Sequence, residues 1–172
     1  MRKPQAVAVS DPEAAERRRW PRRPTPLRAV IANVDGKNAR DCTIVDISAG
    51  GAQISTSQDL PVGFQVYLLD TKNHVAYLAK VLWSNRARSG LWFQGKQPIG
   101  SGMPPCLVFL WRLLLEAKLR EVDRYLAEGM PKALVLAEVG LKAISVHEMT
   151  QHASGDRKFE SALLRALSLF RE

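Results

Sequence analysis

Five arginines fall within residues 17–23: Arg17, Arg18, Arg19, Arg22 and Arg23, with Trp20 and Pro21 set among them. A guanidinium is a planar, permanently charged fork that clamps phosphate oxygens in pairs, which the point charge of lysine does less well. Pro21, Pro24 and Pro26 exclude a helix here and impose an extended path. Side chains alternate along an extended backbone, so Arg18 and Arg22, four apart, face the same way; Arg19 and Arg23 satisfy the same spacing. The bland alternative is a solvated basic arm. Some twenty residues on, Asp46-Ile47-Ser48-Ala49-Gly50-Gly51 sets a carboxylate and a hydroxyl against a glycine pair. Taken alone, that pattern is a turn whose side chains bond nearby backbone N–H groups.

These groups need a scaffold, and the surrounding pattern is one of short strands. Leu27 to Val34 is expected as a strand, with Asp35-Gly36 as its hairpin turn. Arg40 to Ile47 follows; Ala49-Gly50-Gly51 breaks it, and Ala52 to Ser55 resumes. Pro61-Val62-Gly63 turns the chain into Phe64–Leu69. Asn73-His74 leads to Val75–Trp83, and a basic loop at 86–89 leads to Gly90–Phe93. About six strands with no helix between them predict a small closed antiparallel barrel over residues 17–97. Trp83 is expected to fill its core more readily than to meet a ligand. Residues 1–16 read as a flexible arm and 98–104 as a glycine- and proline-marked linker.

From 105 to 172 the pattern is helical, giving an α+β chain. Val108, Trp111, Leu115, Leu119, Val122 and Leu126 recur every three or four residues from Pro105 to a stop at Gly129. Pro131 begins a second stretch, with Gly140 as an interruption. Phe159, Leu163, Leu164, Leu167 and Phe170 make a third stripe. These stripes could pack on the barrel, on each other, or on a second chain as a homodimer.

Composition narrows the classes. The chain has 172 residues, 46% apolar and 24% charged, with a net charge of +8, as expected for a globular protein with anionic partners. No apolar run approaches the roughly 20 residues of a membrane span, and the N-terminus has no signal-peptide core, so a cytoplasmic location is expected. Cys42 and Cys106 share no metal-ligand spacing and read as reduced thiols. His147 and His152 are five apart, which turns the second about 140° from the first on a helix and removes the zinc-protease reading. Gly100-Ser101-Gly102 lacks the third glycine of a dinucleotide fingerprint. Neither an enzyme nor a metal or cofactor site is legible.

The arginine segment, followed by a strand and then Asp46-x-Ser48-x-x-Gly51, resembles the PilZ family, whose signature is Arg-x-x-x-Arg and then Asp/Asn-x-Ser-x-x-Gly. Val81-Leu82-Trp83 and Gly90-x-x-Phe93 look like that family's closing strands, so the resemblance spans roughly residues 17–97. It implies a non-catalytic receptor for cyclic di-GMP, with Arg18, Arg22, Asp46, Ser48 and Gly51 as ligand residues. Arg17, Arg19, Arg23 and Trp83 are further candidate contacts. Arg23 departs from the pattern, since an apolar residue is common there, and this leaves the arginine register open. The chemistry agrees with the ligand: arginine reads the O6/N7 edge of guanine, Asp46 would accept from N1 and N2, and Gly51 permits close approach. Trp83 or Trp20 would stack on a base, worth about 1–3 kcal/mol. Binding is expected to alter a conformation or a contact with a protein partner. Two other functions stay open. One is a ligand-free scaffold acting through the C-terminal helices; the other is a salt-sensitive, non-specific nucleic-acid contact by the arginine arm.

Overall fold

In a computed structural model that describes residues 23–153 and 155–171, six strands close into an antiparallel barrel and four helices follow. The strands are β1 (Arg23–Asn33), β2 (Arg40–Ser48), β3 (Gly51–Thr56), β4 (Gln65–Asp70), β5 (Val75–Asn85) and β6 (Arg88–Pro98). Their order around the barrel is β1-β2-β3-β6-β5-β4, with β4 returning to pair with β1. Ile31, Ile44, Ile54, Leu68, Ala79, Val81 and Leu91 fill the interior. The turns fall where the sequence puts them, but the first is longer than the two-residue turn expected of Asp35-Gly36, since β1 stops at Asn33 and β2 starts at Arg40. Gly36 takes φ +75°, and Ser48 pairs with Gly51 across a two-residue hairpin.

After β6 a short 3-10 turn, Pro105–Leu107, leads into α1 (Val108–Ala127). Gly129, at φ +83°, closes it: its N–H donates to Leu126 O and that of Met130 to Tyr125 O. Then come α2 (Lys132–Val139), α3 (Ala143–Thr150) and α4 (Arg157–Ser168). Asp156 caps α4 by accepting from the N–H groups of Lys158 and Phe159 at 3.0 and 3.1 Å, a contact worth about 1 kcal/mol. Its other carboxylate oxygen lies 3.2 Å from Nε of Arg112 on α1, so the cap also ties the two helices.

The helices share a core with the barrel's outer wall. Val30, Ala32, Leu69 and Ala76, which point out of the barrel, join Leu110, Trp111, Leu114, Phe159 and Leu163 in one buried cluster. Helix α1 is therefore covered on two sides, and it buries Leu113, Ala117 and Lys118 beyond the anticipated stripe. Phe109 rests against Gly36, where an added Cβ would come within 2.5 Å of its ring. Of the stripe residues, Trp111, Leu115, Leu119, Val122, Phe159 and Leu163 are buried within the single chain, whereas Leu164 is 69% exposed. No described helix is long and apolar enough to cross a membrane.

Candidate ligand-binding face

β2 would normally alternate, sending Cys42, Ile44 and residue 46 inward. Instead Ile44 pairs with Ile54 and Asp46 with Gln53, so Val45 is an extra residue on β2. This bulge reverses the alternation and turns Asp46 outward. Ile47, next along, points in beside Ala52, and Ser48 points out. β5 repeats the device. Val81 pairs with Leu91 and Trp83 with Gly90, leaving Leu82 as the extra residue. Trp83 therefore does not join Ala79 and Val81 in the core but is 40% exposed on the outer face, which corrects the expectation from sequence.

The two bulges fall on one cross-strand row: Asp46 pairs with Gln53, Gln53 with Gly90, and Gly90 with Trp83. Side chains opposite one another across a sheet share a face, at strand spacings of about 4.8 Å. Gly90 is a gap in that row, and the indole of Trp83 lies across it; a Cβ at Gly90 would meet Trp83 Nε1 at 2.0 Å. The adjacent row is Ser48, Gly51, Trp92 and Lys80, with Trp92 49% exposed. Together the rows form a polar patch of Asp46, Gln53 and Ser48 flanked by two tryptophan surfaces and a lysine.

Ser48 Oγ donates to Gly51 O at 3.2 Å, which pins the hairpin and orients the hydroxyl. The need for glycine at 51 is internal: a Cβ there would lie 2.1 Å from Leu91 O on β6. Close approach is therefore required, but between two strands of the barrel. At the barrel mouth beside this turn, a hollow of about 570 Å³ is lined by Ser48, Ala49, Gln94 and Lys96 and by the stacked Tyr77 and Phe93 rings, 4.2 Å apart.

β1 begins at Arg23, whose backbone pairs with Ile47, between Asp46 and Ser48; Pro24 pairs with Asp46 itself. Arg17, Arg18, Trp20, Arg19 and Arg22 lie outside the described residues. The structure thus brings together Asp46, Ser48, Gly51 and Trp83. It adds Trp92 and Gln53, which the sequence reading missed. In Gly90-Leu91-Trp92-Phe93 three consecutive residues are apolar, so alternation does not reveal which of them faces out. Cys42 is buried, and desolvation pushes its thiol up to about 12, so it is inert; Cys106 is exposed. Among the described residues no cluster of His, Cys, Asp and Glu could hold a metal ion. His152 instead packs on Trp111.

A closed six-stranded antiparallel barrel with a polar, tryptophan-flanked face on its outer wall is the class of protein this arrangement defines. Residues 16–99 match the PilZ domain family, and over that segment the chain belongs to it. Among solved structures, the PilZ domain of CeSA from a cellulose-synthesizing bacterium is 20% identical with a TM-score of 0.36, and the match covers 56% of this chain and 97% of that one. The inhibitor of motility MotI/DgrA of Bacillus subtilis is 17% identical, with a TM-score of 0.39 and coverage of 62% and 52%. YcgR of Escherichia coli, solved in complex with c-di-GMP, is 18% identical, with a TM-score of 0.36 and coverage of 66% and 50%. The chain thus spans about half the length of the latter two. Among curated proteins none matches.

Proposed function

We propose that this protein is a non-catalytic cytoplasmic receptor for cyclic di-GMP, needing no cofactor, that binds the dinucleotide on the outer face of β2, β3 and β6. The observation that carries the reading is the paired bulges. Residues Val45 and Leu82 each interrupt a strand, and the result sets Asp46 and Trp83 outward on one row when unbroken strands would bury both.

In this reading Asp46 accepts from guanine N1 and N2, and Trp83 and Trp92 offer faces for stacking. The Ser48–Gly51 hairpin supplies a rigid edge on which the ligand rests. Arg18 and Arg22 supply guanidinium forks to phosphate and to the guanine O6/N7 edge; Arg17, Arg19 and Arg23 add charge or further contacts. Covalent geometry tethers this peptide to the site, because Arg23 pairs beside Asp46 and Ser48. Ligand binding would then fix the arginine segment against the barrel and alter the surface offered to a protein partner.

Calorimetric titration of the full chain, Asp46→Ala and Arg22→Ala with cyclic di-GMP tests the assignment. Tight binding by the parent and loss in both variants, with unchanged circular dichroism, is expected. Retained affinity in both would remove the site.

A further inference from the structure

Beyond the Asp46 row the same outer face continues to Thr43, Ser55 and Arg88, and on β1 to Arg28. It does not end in open solvent there. Helix α1 starts against the β1–β2 hairpin, where Phe109 packs on Gly36, and runs back along the barrel wall. Its second half overhangs β1–β3 and encloses a cleft of about 510 Å³, within the range of small-molecule sites.

Three guanidinium groups line this cleft: Arg28 from β1, and Arg120 and Arg124 from α1. Two are already engaged. Arg120 lies 2.7 Å from Asp41, and Arg28 reaches Glu121 at 3.8 Å. Arg124 has no carboxylate partner among the described residues. Its guanidinium carbon lies 4.4 Å from the centroid of the Tyr125 ring. An arginine that lines the cleft with no carboxylate beside it leaves its charge for an anion entering there. Thr43 and Ser55 place hydroxyls on the facing wall.

We propose that the cleft between β1–β3 and α1 is a phosphate-binding site, with Arg124 as its principal cation and Arg28, Arg120, Thr43 and Ser55 around it. The net positive lining and the forked donors select an anion with several acceptor oxygens over a carboxylate or an apolar ligand. If the function proposed above holds, on which this last step rests, the occupant is a phosphate of the cyclic dinucleotide lying on the adjoining face. The helical extension then becomes part of the receptor. Ligand arriving in the cleft would compete with Asp41 and Glu121 for Arg120 and Arg28, so the contacts that hold α1 to the barrel would sense occupancy.

The test uses the full chain with Arg124→Gln and Arg124→Lys, titrated with cyclic di-GMP by calorimetry and followed by the arginine side-chain Nε–Hε NMR signals. The expected result is about tenfold weaker binding in Arg124→Gln, partial recovery in Arg124→Lys, and a saturable shift of the Arg124 signal in the parent. Parent-like affinity in Arg124→Gln with an unmoved Arg124 signal would overturn the cleft site and leave the dinucleotide reading intact. If the parent fails to bind cyclic di-GMP, that reading falls, and inorganic pyrophosphate becomes the probe. A saturable Arg124 shift then supports the cleft as a phosphate site in its own right, and no shift overturns it.

Discussion

Asp46 and Trp83 show how one inserted residue changes what a side chain is for. In an unbroken β2, position 46 would follow Cys42 and Ile44 into the core, where a carboxylate is costly. The bulge at Val45 takes the side chain off the core-facing side; it is half-buried, with Oδ1 out of contact with solvent. Trp83 is the matching case on β5, and it has a measurable consequence. Because it lies on the surface over Gly90, Trp83→Ala should cost the barrel about 1 kcal/mol or less beyond lost surface packing, well below the 3–5 kcal/mol of a core tryptophan. Urea unfolding reads this; a larger loss would put the indole in the core. Gly51 makes the opposite point. Gly51→Ala drives a Cβ into Leu91 O and should destabilise the β3–β6 pairing whether or not ligand is present. Lost binding in that variant would therefore report on folding, and Asp46→Ala is the cleaner probe.

At the scale of elements, the strands were legible because their ends carry strong local signals. Gly36, the Ala49-Gly50-Gly51 break and Gly63 mark where strands stop; β2 starts at the expected Arg40 and ends one residue later than expected, and β3 is one residue longer at each end. The bulges were not legible. A bulge is defined by what lies opposite on another strand, and no local pattern carries that register. The same limit hid Trp92. The β5–β6 turn is a further case. Arg86 and Ala87 both take positive φ, 44° and 65°, where glycine or asparagine is usual. Ala87 is held there by its N–H to Asp59 Oδ1 and by its carbonyl to Thr56 N–H. Ala87→Gly should relieve that strain and raise stability by about 1 kcal/mol in thermal unfolding, and no gain would mean the backbone there is not strained. In the helices, periodicity found α1 and α4. It did not separate Leu164, which faces solvent, from Leu163, which is buried.

At the scale of the whole molecule, the barrel's outer wall and the helices share one buried cluster, and two observations bear on it. Truncation after Gly100 would uncover Val30, Ala32, Leu69 and Ala76 on the barrel wall. Such a fragment should aggregate or unfold at much lower urea than the full chain; an equally stable monomeric barrel would contradict the shared core. Lys118, buried on α1, donates to Val139 O at 2.6 Å and so ties α1 to the end of α2. Burial holds its pKa below the ordinary lysine value, with Glu121 opposing the shift. The folded state thus releases this proton more readily than the unfolded chain. Its contribution to stability should rise with pH between the lowered folded value and the ordinary one. Lys118→Met lacks that dependence, so the stability gap between parent and variant should move in favour of the parent on going from pH 8 to pH 10. A gap independent of pH would contradict the buried, shifted lysine.

The account turns on whether the outer face of β2, β3 and β6 recognises guanine. Parallel calorimetric titrations of the full chain with cyclic di-GMP and cyclic di-AMP, at low and at moderate salt, ask this directly. The account predicts saturable binding of cyclic di-GMP that survives added salt and is lost in Asp46→Ala, with no matching response to cyclic di-AMP. Equal binding of both dinucleotides, fading together as salt rises, would show a basic surface without a guanine site and would contradict it.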